Sequence, residues 1–167
     1  TDVPQLRIVV LEQSGTYGKF ALQPLERGFG VTLGNPLRRV LLSSIPGTAV
    51  TWVQIDGVQH EYADIPHVKE DVLTFLQRVK GIRIRPLSDR PGRMRLDVVG
   101  PGEVYAGDIS VPADLEIMNP ELHLATLGST DAKLVVELNV DHGKGYIPAK
   151  TDAGLPIGSL PVDAIFG

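Results

Sequence analysis

Several groupings of residues have types and spacings that chemistry could use. Gly28-Phe29-Gly30-Val31-Thr32-Leu33-Gly34 is glycine-rich and leads into a helical pattern, the setting in which backbone N–H groups cradle a phosphate. Its spacing is Gly-x-Gly-x-x-x-Gly, which is not the dinucleotide fingerprint, and it lacks the Gly-Lys-Ser/Thr ending of a triphosphate loop. It reads as a tight backbone turn into a helix. His60, Glu61, Asp64 and His67 form the densest set of metal-ligand types, but without His-x-x-x-His or another ligand spacing they read as turn and surface polar residues. Glu70 and Asp71 are adjacent, so their side chains diverge on a helix and cannot act as paired acid and base; they read as a solvated face near a helix start. His123 and His142 have no Ser or Cys nucleophile motif beside them. No catalytic, metal-binding or cofactor-binding residue can be assembled from these groups, and no cofactor is expected.

The stretch from Arg78 to Arg95 holds seven cations (Arg78, Lys80, Arg83, Arg85, Arg90, Arg93, Arg95) against Asp89 alone, a local net of +6. It contains no aromatic residue on which bases could stack. A solvated strand pair and a basic surface facing an acidic protein both fit it better than DNA contact.

These residues must be held by short elements, because Gly 18 and Pro 13 fall as single punctuation marks through the chain. Alternating runs at Arg7–Val10, Thr51–Ile55, Arg83–Arg85, Arg93–Val98 and Leu134–Val140 suit half-buried strands, so most of the molecule is expected to be antiparallel sheet. Apolar residues at Val68, Val72, Phe75, Leu76 and Val79 predict an amphipathic helix over Val68–Val79, stopped at Lys80-Gly81. A second helix is predicted from about Thr32, its cap, to Ser44, with Pro36 in the first turn and Pro46 barring continuation.

In that second helix Leu33, Leu37, Val40, Leu41 and Ser44 share one stripe, expected to pack on the protein's own sheet. Leu42 lies on the other side between Arg38 and Arg39, and this face suits either solvent or a partner. The chain ends in the apolar run Leu160–Phe166, which predicts a truncated domain. If the last segment returns to pair with the first, residues from about Gly47 to Gly154 form an insertion within a discontinuous domain.

Composition bounds the function. The 167 residues are 43% hydrophobic, enough for a core, and a net charge of -4 argues against a general nucleic-acid binder. With no cysteine there is no disulfide and no thiolate metal site. The start, Thr1-Asp2-Val3-Pro4, has no signal-peptide pattern and no run approaches the 18 apolar residues of a membrane span, so a soluble, cytoplasmic protein with no membrane partner is expected.

The run Pro24-Leu25-Glu26-Arg27-Gly28-Phe29-Gly30-Val31-Thr32-Leu33-Gly34-Asn35-Pro36-Leu37-Arg38-Arg39-Val40-Leu41-Leu42-Ser43-Ser44 closely resembles the signature helix of bacterial RNA polymerase alpha subunits. The resemblance continues through Ile55–Tyr62, Val68–Val72, Leu115–Pro120 and Gly143–Ala149, and is weakest from Leu87 to Gly107. It implies an α+β fold: a discontinuous α/β dimerisation domain (residues 1–46 and 155–167, incomplete here) with an inserted, mostly antiparallel β domain (residues 47–154). It further implies a non-catalytic assembly subunit of a nucleotidyltransferase complex, which dimerises and recruits the β and β′ subunits for DNA-dependent RNA synthesis. Arg38, Arg39 and Leu42 would lie on the subunit-binding side, Lys80, Tyr146 and Ile147 near large-subunit contacts, and Leu33, Leu37 and Leu41 on the dimer helix. Family members continue beyond Phe166 with further strands, a closing helix, a linker and a DNA-binding domain, so no direct nucleic-acid contact is expected from this stretch and its dimerisation would be impaired. The rival readings are an enzyme with an unrecognised site, which requires a deep pocket with converging titratable groups, and a nucleic-acid-binding module, which requires steeply salt-dependent affinity.

Overall fold

The longest strands settle the register of the core. The computed structural model describes residues 4–150 and 154–166; Thr1, Asp2 and Val3, used above to look for a leader, lie outside the described residues, as do residue 167 and residues 151–153 beside the expected Gly154 boundary. The chain divides into two compact units, Thr1–Leu41 and Leu42–Gly167.

The first unit contains β1 (Arg7–Gln13), β2 (Gly18–Gln23) and most of α1 (Phe29–Ser43). β1 and β2 form an antiparallel hairpin with a bulge between Val10 and Glu12. Contrary to the expected Thr32 start, α1 begins at Phe29, directly after Gly28 at φ 94°, and Thr32 turns its hydroxyl back to the Gly28 carbonyl instead of capping. Two in-helix glycines cost only about 1 kcal/mol each, and the apolar pattern carries the helix through them. The expected burial of its stripe is also corrected. No residue of α1 is buried; Leu37 and Leu41 are 59% and 51% exposed, comparable to Leu42 at 62%. The hairpin likewise leaves Ile8, Val10 and Phe20 exposed. Two strands alone are too little sheet to build a core layer.

The second unit carries the core. Its elements are β3 (Pro46–Ile55), α2 (Val72–Val79), β4 (Ile84–Pro86), β5 (Gly92–Val99), β6 (Gly102–Tyr105), β7 (Leu115–Ile117), β8 (His123–Leu127), β9 (Lys133–Lys144), β10 (Tyr146–Ile147), β11 (Leu160–Pro161) and β12 (Ala164–Ile165). The central sheet runs β11-β3-β9-β5, every neighbouring pair antiparallel. In β9, Leu134, Val136, Leu138 and Val140 are all buried while the intervening residues are half-exposed or exposed. β5 matches it, with Met94 opposite Leu138 and Leu96 opposite Val136, so the period-2 patterns of the two strands select one register. Against this layer α2 buries Val72, Phe75, Leu76 and Val79. Each such side chain contributes about 1.5–3 kcal/mol through burial. The helix starts later than the predicted Val68, because Asp71 caps it by accepting from the Thr74 N–H at 2.8 Å, and Val68 instead bridges Leu127.

In the final segment Leu160–Pro161 pairs with Val53 and Trp52 of β3 and not with the first strand, and Leu160 and Val162 join the main core cluster. β3 has an open edge there and the segment is apolar enough to fill it.

Candidate interaction surface

The sequence-flagged residues near the ends of the second unit are drawn together by two devices, a glycine and a carboxylate. Gly145 follows β9 at φ +68°, and a Cβ added there would lie 3.2 Å from the Ser43 Cα and 3.4 Å from the Leu42 carbonyl. Only glycine both adopts that backbone comfortably and admits so close an approach. It therefore sets Leu42 and Ser43 beside the strand that begins with Tyr146. β10 then pairs with β12, Tyr146 opposite Ile165 and Ile147 opposite Ala164. Tyr146 and Ile165 share a face as direct cross-strand partners, and both are more than half exposed.

The carboxylate is Asp163, in the bend between β11 and β12. It accepts from the Ala149 N–H at 2.8 Å and from Lys80 Nζ at 3.0 Å. These bonds, the backbone one first and with a smaller contribution from the Tyr146 side chain, hold its carboxyl below the ordinary aspartate range. Lys80 is the C-cap of α2, where a cation also faces the negative end of the helix dipole. Thus Leu42, Lys80, Tyr146 and Ile147 are linked through Gly145 and Asp163. Arg38, Arg39, Leu33, Leu37 and Leu41 stand on α1 in the first unit, all exposed.

A second polar group was not foreseen. Glu70, expected on a solvated face with Asp71, is only 8% exposed and precedes α2. It accepts from the Thr126 N–H at 2.7 Å and from Arg78 at 3.0 Å. Burial pushes its carboxyl up, but backbone N–H groups of Thr126 and of Glu70 itself, with Arg78, outweigh that and leave it below the ordinary glutamate range. Arg78 also approaches His123 Nδ1 at 2.7 Å; since arginine has only donors, Nδ1 accepts and Nε2–H is left to donate to Glu103. The Thr126 hydroxyl donates to Glu103 at 2.9 Å and, with His123, lowers that carboxyl as well. A charged residue inside an apolar run, such as Asp163, or one just ahead of a buried helix face, such as Glu70, was the available signal, because such residues must find partners.

The basic stretch is answered by acids distant in sequence. Arg78 pairs with Glu70, Lys80 with Asp163, Arg85 with Glu116, and Arg93 and Arg95 with Glu137, while Arg93 also lies over Trp52 at 5.1 Å. The +6 of the stretch is therefore largely neutralised on folding. A cleft of about 480 Å³ between Asp56–Val58 and Ile157–Gly158 is bordered by Arg95 and Glu137, which pair with each other at 3.7 Å. Among the described residues no three His, Asp or Glu side chains gather as a metal site, and His60, Glu61, Asp64 and His67 stay in the connection before α2. His142 lies between the Thr48 hydroxyl at 2.8 Å and the Arg90 carbonyl at 3.0 Å, tying the start of β3 to the loop before β5.

Comparison with known proteins gives a consistent answer. Residues 53–167 match the family model described as the RNA polymerase Rpb3/RpoA insert domain. The chain is 50% identical to the DNA-directed RNA polymerase subunit alpha of Alkaliphilus oremlandii, over 99% of this chain and 52% of that protein. It is 51% identical to the protein of that name from Symbiobacterium thermophilum and 49% to that from Desulforudis audaxviator, each over 99% of this chain and 53% of the relative. The chain thus spans about half the length of these relatives.

Proposed function

The chain belongs to the bacterial RNA polymerase alpha-subunit family, matched through the Rpb3/RpoA insert domain, and from that premise we propose that it is an assembly scaffold of DNA-directed RNA polymerase. In this reading it dimerises with a second copy, recruits the β and β′ subunits in the cytoplasm, and contributes no catalytic residue to nucleotidyl transfer. The observation that carries the reading is α1, a 15-residue amphipathic helix without one buried residue. A helix with an apolar stripe is stabilised mainly by packing that stripe. Leu33, Leu37 and Leu41 are its dimer side, and Arg38, Arg39 and Leu42 its large-subunit side. Lys80, Tyr146 and Ile147 form a further large-subunit contact. Residues 1–46 and 155–167 belong to a dimerisation domain that is partial here, and residues 47–154 form the insert domain.

The test is titration of the β subunit with the full-length alpha subunit carrying single changes, each accompanied by a melting curve. Arg39→Ala should weaken binding by about 2 kcal/mol, roughly thirtyfold, while the melting temperature holds, because the side chain belongs to no core. Leu42→Ala should act in the same direction, and Lys69→Ala, exposed ahead of α2, should be nearly silent. Parent-like binding by Arg39→Ala, or weak binding only through unfolding, would sink the assignment of this face.

A further inference from the structure

The last turn of α2 is gripped from two sides. On one side the Arg78 guanidinium meets Glu70 at 3.0 Å and His123 at 2.7 Å, and through His123 and Glu103 it is tied to the antiparallel pair of β6 and β8. Two residues later Lys80 reaches Asp163 at 3.0 Å, in the bend that places β12 beside β10. Side chains two apart on a helix project about 200° from one another, so the two grips act from opposite sides of the axis. A small rotation of the turn that relaxed one would pull on the other, and a 3.0 Å charge-assisted bond is lost within about an ångström of displacement.

We infer that Arg78 is a positioning residue for the Lys80–Asp163 bridge, with α2 acting as a brace between the paired strands β6 and β8 and the bend that carries the Tyr146 surface. The polar groups are arranged for this. Glu70 is buried and satisfied by two residues of different elements, Arg78 of α2 and Thr126 of β8, so it fixes the helix to that strand and not to solvent. His123 adds a second anchor on the same guanidinium, and Tyr105 of β6 holds the imidazole edge-on at 5.6 Å. Arg78 and Lys80 side chains are each about one-third exposed, so neither is needed to fill the core. Only the last consequence, that loosening the brace weakens large-subunit binding, rests on the function proposed above.

The bridge can be read directly with a zero-length carbodiimide, which couples Lys80 Nζ to the Asp163 carboxylate only when they touch; the coupled peptides are quantified by mass spectrometry in the full-length subunit. Arg78→Met should lower the yield several-fold with the fold retained by circular dichroism, and Arg78→Lys, which keeps a cation for Glu70, should restore much of it. His123→Gln, which removes one of the two anchors on the guanidinium and leaves Glu70, should lower the yield less. A parent-like yield in folded Arg78→Met overturns the inference; if that variant does not fold, a parent-like yield in His123→Gln overturns it. A reduced yield with unchanged β and β′ affinity supports the brace and counts instead against the Tyr146 surface as an interface.

Discussion

At the scale of single residues, buried charge and close backbone approach decide the outcome. Glu70 satisfies the Thr126 N–H and Arg78 from a buried position, so Glu70→Ala leaves the Thr126 N–H without its partner and Arg78 with His123 in place of a carboxylate. We expect a loss of about 2 kcal/mol or more, measured by urea unfolding. Its carboxyl is held low in the folded state, as are those of Asp71, Glu103 and Asp163. The unfolded chain binds the proton more readily, so this stabilisation is complete above the ordinary carboxylate range of about 4 and is lost as pH falls through the lower folded values. Melting followed from pH 7 to pH 3 should show the loss, and Glu70→Gln should make it shallower; an identical profile would refute the role given to Glu70. Gly47 is a harder constraint. A Cβ there would fall 1.5 Å from the Phe166 carbonyl oxygen. Gly47→Ala must displace the final strand, and amide exchange at Ile165 and Phe166 should accelerate while α2 stays protected.

At the scale of elements, α2 and α1 are opposites. α2 is short, capped and buried on one face, and its stability is local. Asp71→Ala removes the bond to the Thr74 N–H and should cost about 1 kcal/mol. Phe75→Ala, at a fully buried position, should cost about 3–5 kcal/mol. The order of these two losses in thermal unfolding checks that core packing outweighs capping here. α1 has neither a buried residue nor an acidic first turn, so what it contributes must come from what covers it.

At the scale of the whole molecule, every residue of both core clusters lies between Ala49 and Phe166. A fragment of residues 42–167 should therefore melt cooperatively, with a midpoint close to that of the full 167-residue chain. A broad, non-cooperative transition in the fragment would mean that residues 1–41 contribute to this core after all.

The sequence by itself determined the elements whose side-chain period is strong. β9 and β5 alternate without interruption, and α2 repeats its apolar residues at helical spacing, so local pattern and final burial agree. The signature run of α1 also carries the resemblance to the family in its residues alone. What only the tertiary structure decided are pairings between residues far apart in sequence: Glu70 with Thr126, Lys80 with Asp163, Gly47 against Phe166, and β11 beside β3. The solvated reading of Glu70 failed because charge in a sequence carries no record of its partner. The burial expected for Leu37 and Leu41 failed for a related reason. Periodicity shows that a helix has an apolar face, but what covers that face depends on surfaces that the helix's own residues do not encode.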